Sequence, residues 1–251
     1  RSRTDPYYFE LLAGAEEEAR ERGAPLLFAN LGEDPGEILA QIRRHGTSPA
    51  PGTLLAGTIT APLVEALTRE GVPFVLASDV VDCRSMTGQG PAVVHDDHAC
   101  GYEATAHLLR LGHRRIGMLA GLEAMHFWRL FREGYRTALQ AWDVAPEPAW
   151  IQTVASDTIE AGTEAAGRLL DRSDGLSAVF GGNDRYAVGA YRAARRLGRV
   201  VPRDLSVIGV GDLFFASTAE PPLTTLKLDI RGLGRKALRL LLQRVRGEAL
   251  P

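Results

Sequence analysis

LSAVFGGNDRYAVGAYRAARRLG, residues 176–198, decides the fold class. A short apolar run of strand length ends in Gly181-Gly182. Asn183 and Asp184 then stand where the next element begins, and apolar residues recur at helical spacing until Gly198 closes the segment. A strand apolar on both faces belongs in a parallel sheet covered by helices. The same phrase recurs along the chain. Strand-like runs occur at LLAGTIT, PFVLAS, AVVHDD, RIGMLAG, WIQTVA and SVIGVGD. Helix-like stretches such as APLVEALTREG, CGYEATAHLLRLG, FREGYRTALQAW and AGTEAAGRLLDR separate most of them. This alternation implies right-handed βαβ units and an α/β fold. So many strands would crowd one twisted open sheet, so two parallel sheets in two Rossmann-like lobes are expected. Ligands of such sheets sit beyond the carboxyl ends of the strands, here in a cleft between the lobes.

The first segment, DPYYFELLAGAEEEARERG, carries a full helix signature. Asp5 is placed to cap, Pro6 occupies the first helical position, and Gly23 stands at the far end. PLLFAN, residues 25–30, follows as an expected buried strand, and TSPAPG, residues 47–52, as a rigid loop within a lobe.

Composition narrows the function. The 45% hydrophobic and 24% charged content is that of a folded globular chain, while a net charge of -2 offers no basic excess with which to neutralise nucleic-acid phosphates. DNA binding through these residues is therefore not expected. Cys83 and Cys100 are the only cysteines, which is no disulfide scaffold. With neither a membrane-length apolar run nor a signal peptide, the chain is expected to be cytoplasmic. No GxSxG elbow, Walker A loop, HExxH helix or complete GxGxxG fingerprint occurs, so neither catalytic residues nor a cofactor is expected. His95, Asp96, Asp97, His98 and Cys100 resemble a metal cluster in composition only. Alternate side chains of a strand point apart, so no metal is expected, and Asp97 is expected to cap a helix beginning near Ala99.

Several segments together resemble the lactose-repressor (LacI) family of bacterial transcription regulators. VPRDLSVIGVGD at 201–212 is similar to its VPxDxSVxGxDD signature, and PPLTTLKLDIRGLGRKAL at 221–238 to its PPLTT segment. LGHRRIGMLAG, REGYRTAL and FGGNDRYAVGA match further stretches in the correct order and spacing. The resemblance implies the effector-sensing core of a regulator whose helix-turn-helix headpiece and hinge helix are not in these residues. Its fold would be like that of periplasmic sugar-binding proteins. Residues 1 to about 112 with about 229 to 251 would build one lobe and 113–228 the other, joined by hinge crossovers. DPYYFELLAG resembles the family's loop and helix just after the first core strand, and RGEALP stops before its closing strands. The natural protein is therefore expected to extend beyond both ends.

The family's effector contacts carry over position by position. Tyr7 and Tyr8 occupy the places of the aromatic or apolar residues that stack on effector, and Asn183 that of the ligand-gripping amide. Three positions depart from the pattern. Phe131 stands where an effector-binding Arg is frequent, with Arg129 nearby. Gly211 replaces the first Asp of GxDD and leaves Asp212. Ser78 falls where many relatives have Asp, with Asp79 one place later. Without those charged clamps a sugar dependent on them would bind more weakly by a few kcal/mol. Asp157, with Tyr7, Tyr8, Phe127, Trp128 and Phe131, would form an aromatic-rich site with a displaced acid, suited to a less hydroxylated or partly cationic effector, a modified sugar included.

The resemblance implies a coupling equilibrium in which effector binding sets the lobe angle and hence the spacing of two headpieces on operator DNA. It also implies a homodimer, with Phe214 and Phe215 as interface or core residues. The rival readings are a periplasmic binding protein of an ABC transporter and a hydrolase using the cleft. The signature segments favour the regulator.

Overall fold

A computed structural model describes residues 5–30, 34–45, 52–57, 59–77, 90–173 and 175–248. Most of the TSPAPG loop, Ser78, Asp79, Cys83 and the last three residues of RGEALP lie outside them. The chain divides into two compact units, Arg1–His95 with Asp229–Pro251, and Asp96–Leu228.

In the first unit, helix α1 (Pro6–Glu21) begins where the sequence places it. Asp5 Oδ1 accepts from the Tyr7 N–H at 3.0 Å, and Pro6 opens the first turn. The strand expected over PLLFAN does not form. Residues 24–30 have no ladder partner among the described residues, and Leu27 and Phe28 are 68% and 65% exposed. An apolar run becomes a strand only where a neighbour takes up its N–H and C=O groups, and composition cannot supply that neighbour. Next come α2 (Pro35–His45), β1 (Thr53–Ala56), α3 (Ala61–Arg69), β2 (Phe74–Ala77) and β3 (Ala92–Val93), with α8 (Ile230–Val245) returning from the end of the chain. The three strands form a parallel sheet, order β1-β2-β3, with Leu54 beside Val75 and Leu76 beside Ala92. Ile38, Leu39, Leu63, Val64, Leu67 and Phe74 fill its core.

Helix α8 packs on β2 and against α1. Gly14 and Gly234 let the two helix backbones touch: a Cβ at either would overlap the other helix's carbonyl oxygen, at Arg231 and Leu11. Around that contact runs an ion-pair ladder from Glu10, Glu17, Glu18 and Glu21 to Arg231, Arg235 and Arg239. At its centre Glu18 has no exposed side-chain surface and takes both Nε and Nη2 of Arg239 at 2.9 and 3.0 Å. The Arg239 guanidinium, assisted by Arg22, holds the Glu18 carboxyl down at about 2 despite burial.

The second unit contains α4 (Asp97–Arg110), β4 (Ile116–Ala120), α5 (His126–Ala141), β5 (Ile151–Thr153), α6 (Ile159–Arg172), β6 (Ala178–Gly181), α7 (Asp184–Arg196), β7 (Ser206–Gly211) and β8 (Thr224–Lys227). All five strands are parallel, in the order β5-β4-β6-β7-β8. β8 lies inside the PPLTT segment, which carries no apolar run long enough to announce a strand. α4 packs on α5, with Gly101 against the Phe131 carbonyl and Gly134 against that of His98. α6 packs on α7 through Gly162 and Gly189. The expectation placed residues up to about 112 in the first lobe. α4 instead belongs with the second unit through its contact with α5, and the return junction falls at Leu228–Asp229. Asp96, not Asp97, caps α4, accepting from the Ala99 N–H at 2.9 Å, because the helix starts two residues earlier than read.

Candidate functional site

In the first unit the parallel strands end at Ala56, Ala77 and Val93. Tyr7 and Tyr8, in the first turn of α1, meet edge to face with ring centroids 5.4 Å apart. Tyr8 lies over Gly57, immediately past β1, where φ is +108 and a Cβ would come within 3.6 Å of the Tyr8 hydroxyl. The Tyr7 hydroxyl and His95 Nε2 are 3.1 Å apart, and the two rings are near perpendicular. His95 was read only as part of a metal-like string. Its partner lies 88 positions away, so no local signal could have found the pair. Two further members of that string have other partners: His98 Nε2 lies 3.3 Å from Thr137 Oγ1, and Asp96 caps.

In the second unit Asp157, Asn183 and Asp212 follow β5, β6 and β7, and in a parallel sheet these carboxyl ends share one edge. Asn183 caps α7, its Oδ1 accepting from Tyr186 N–H at 2.9 Å, while its Nδ2 donates to Asp157 Oδ1 at 2.7 Å. Arg185 Nη1 donates to the other carboxylate oxygen of Asp157 at 3.2 Å. Capping therefore does not exclude a second polar role for Asn183: the cap uses the oxygen, and the amide nitrogen, already donating one N–H to Asp157, carries a second N–H. Asp212, at φ 55, points its carboxylate to within 3.9 Å of Lys227 Nζ.

The aromatic residues divide by the period of α5. Trp128, Phe131, Tyr135 and Ala138 are buried at helical spacing, Phe127 is half-buried and Arg129 is exposed. Trp128, 6% exposed, stacks on Tyr186 at 5.6 Å in a slot that exists because Gly121 and Gly182 lack a Cβ. Phe131, 5% exposed, packs near Phe180. Both therefore pack in the core of this unit, while Phe127, tilted against Trp128, is half-buried and Arg129, whose Nη2 lies 3.0 Å from His126 Nδ1, is exposed.

One residue escaped the sequence reading, and a second, Asp184, was expected there only to cap the following helix or face the cleft. Arg132, 2% exposed, donates to the carbonyls of Gly121 at 2.6 Å and Trp128 at 3.2 Å, and burial lowers its pKa. It ties the loop after β4 to α5. Asp184 has no exposed surface. Its Oδ2 accepts from Leu213 N–H at 2.7 Å and its Oδ1 from the Thr225 hydroxyl at 2.5 Å, while burial pushes its carboxyl up against those two bonds. A buried acid directly after a capping Asn reads as a second cap in sequence. Its bonds to residues 29 and 41 positions away are tertiary.

A family model described as a periplasmic binding protein-like domain matches residues 105–251. The transcriptional repressor CytR of Escherichia coli K12, of helix-turn-helix type, is 31% identical over 247 residues, 97% of this chain and 70% of the repressor. The chain belongs to the LacI family of transcriptional regulators. Among solved structures, the regulator CelR in complex with cellobiose superposes with a TM-score of 0.86 at 30% identity, covering 98% of this chain and 74% of that one. A LacI-family regulator of Enterococcus faecium with bound ribose gives 0.81 at 27% identity, covering 98% and 88%. The relatives are regulators and not enzymes, so this LacI-family chain is an effector-sensing core of a transcription regulator rather than a hydrolase or a transporter's binding protein. One departure from the family pattern has a local cause. Gly211 sits at φ +131, where an L side chain is strained, and a Cβ there would press on Asp184 Oδ2 at 3.1 Å. An acid at 211 would require a different turn.

Proposed function

We propose that the LacI-family core binds a neutral, ring-shaped small molecule, a sugar or a nucleoside with few free hydroxyls. Asn183 and Asp157 grip its polar groups, with Asp212 and Arg129 at the rim, and Phe127 lies against the ring above the buried Trp128 and Phe131. The observation that carries this reading is the Asn183–Asp157–Arg185 cluster at the strand ends, with Tyr186 of the same helix start stacked on Trp128. The Arg185 partner offsets the charge of Asp157, which weakens the case for a cationic effector. Cellobiose and ribose in the related structures support a carbohydrate-like ligand.

Effector occupancy would change affinity for operator DNA through a headpiece that is not among these residues, in a cytoplasmic homodimer. Among the described residues no helix is long and apolar enough to cross a membrane. Isothermal titration against ribose, cellobiose, hexoses and ribonucleosides tests the effector class. Binding of ribose or a nucleoside that Asn183→Ala abolishes supports it. Nanomolar binding of a simple neutral hexose, or binding indifferent to Asn183, overturns it.

A further inference from the structure

The head of α7 holds two adjacent polar residues whose side chains leave in different directions. Asn183 reaches the loop after β5 and holds Asp157. Asp184, fully buried, reaches the turn after β7, accepting from Leu213 N–H at 2.7 Å and from the Thr225 hydroxyl at 2.5 Å. Thr225 Oγ1 in turn accepts from the Asp212 N–H at 3.3 Å. Two successive backbone N–H groups of one turn are therefore anchored to a single carboxylate, one directly and one through a hydroxyl. Gly209 and Gly211 leave the room in which that carboxylate sits, since a Cβ at Gly209 would come within 2.5 Å of Asp184 Oδ1. The turn needs anchoring: Gly211 and Asp212 both have positive φ, the latter without glycine's freedom.

We propose that Asp184 is a positioning residue for ligand specificity: through Leu213 and Thr225 it locks the 211–213 turn and so aims the Asp212 carboxylate, as its neighbour Asn183 aims Asp157. One helix start thereby sets both acids of the unit's binding edge. A ligand hydroxyl pattern is read by the fixed separation of those acids, and a charge-assisted bond is lost when one of them wanders. The role of Asp212 as a ligand contact rests on the function proposed above. The locking of the turn does not.

The test has two arms on the full chain. Amide hydrogen exchange is measured in wild type, Asp184→Ala and Thr225→Val, the second being isosteric and the milder of the two. The expected result is exchange at Asp212 about tenfold faster in both variants, and at Leu213 about tenfold faster in Asp184→Ala, with β4 and β6 amides unchanged. Calorimetric titration of ribose and cellobiose then compares Thr225→Val, Asp212→Asn and the double variant. Each single change is expected to weaken binding about tenfold and the double variant no more than either, because both act through one carboxylate. Additive losses, or unchanged exchange at Asp212 and Leu213, overturn the proposal. If wild type binds neither sugar, the effector class is wrong for those probes, and the exchange arm alone decides whether Asp184 holds the turn.

Discussion

Asn183 shows how much one side chain can be asked to do. Its oxygen satisfies a helix-start N–H and its amide donates to Asp157, so Asn183→Ala removes a cap and one of the hydrogen bonds of Asp157 at once. Loss of an N-cap costs about 1 kcal/mol, and urea unfolding should register that loss. Asn183→Asp, which keeps the cap and sets two carboxylates against each other, should unfold near the wild-type midpoint yet lose the hydrogen bond from residue 183 to Asp157. A 3.2 Å Arg185–Asp157 pair at a half-exposed position adds little to stability by itself, so its place is in aiming the acid. The polar type of residue 183 was plain in the sequence. Its partner was not, because 26 residues of chain and the order β5-β4-β6 intervene.

Helix pairs in both units touch through reciprocal glycines, and this governs what substitution does to an element. A Cβ on Gly134 would meet the His98 carbonyl and the Tyr102 nitrogen, both backbone atoms of α4 that cannot swing aside. Gly134→Ala should therefore destabilise by roughly 1–3 kcal/mol, as overpacking does, despite alanine's better helix propensity. A lowered midpoint in chemical unfolding checks it. The α1–α8 pair makes a different prediction. Glu18 is held at about 2, below its ordinary 4.5, chiefly by Arg239. A depressed carboxyl stabilises the fold fully above its unfolded pKa and loses that contribution as pH falls toward the folded value. Stability should thus drop between about pH 4.5 and 2, and Glu18→Gln should flatten that stretch of the curve while lowering stability at pH 7. A Glu18→Gln profile parallel to wild type would contradict the assignment. Helix starts such as Asp5-Pro6 were legible because capping is a local matter. PLLFAN was misread because strand formation is not.

For the whole molecule the decisive questions are assembly and signal. The homodimer proposed here should sediment at twice the chain mass. Phe214, 75% exposed and edge to face with Phe215, is the residue whose change to Asp should shift it toward monomer if that loop is the interface. Sedimentation velocity of wild type and Phe214→Asp at matched concentration decides the point. A monomer in wild type would sink the assembly, and an unchanged dimer in the variant would move the interface elsewhere.

Class, strand–helix alternation and family were written in order along the chain, in caps, turn glycines and motifs that each depend on a few neighbouring residues. Tertiary structure alone decided which residues of those motifs face inward. It buried Trp128 and Phe131, paired Tyr7 with His95, and turned Asp184 away from its own helix toward the turn after the next strand. Local signals follow from backbone propensities within a few residues, whereas a side chain's surroundings depend on what the folded sheet brings alongside it, a fact no window of sequence contains.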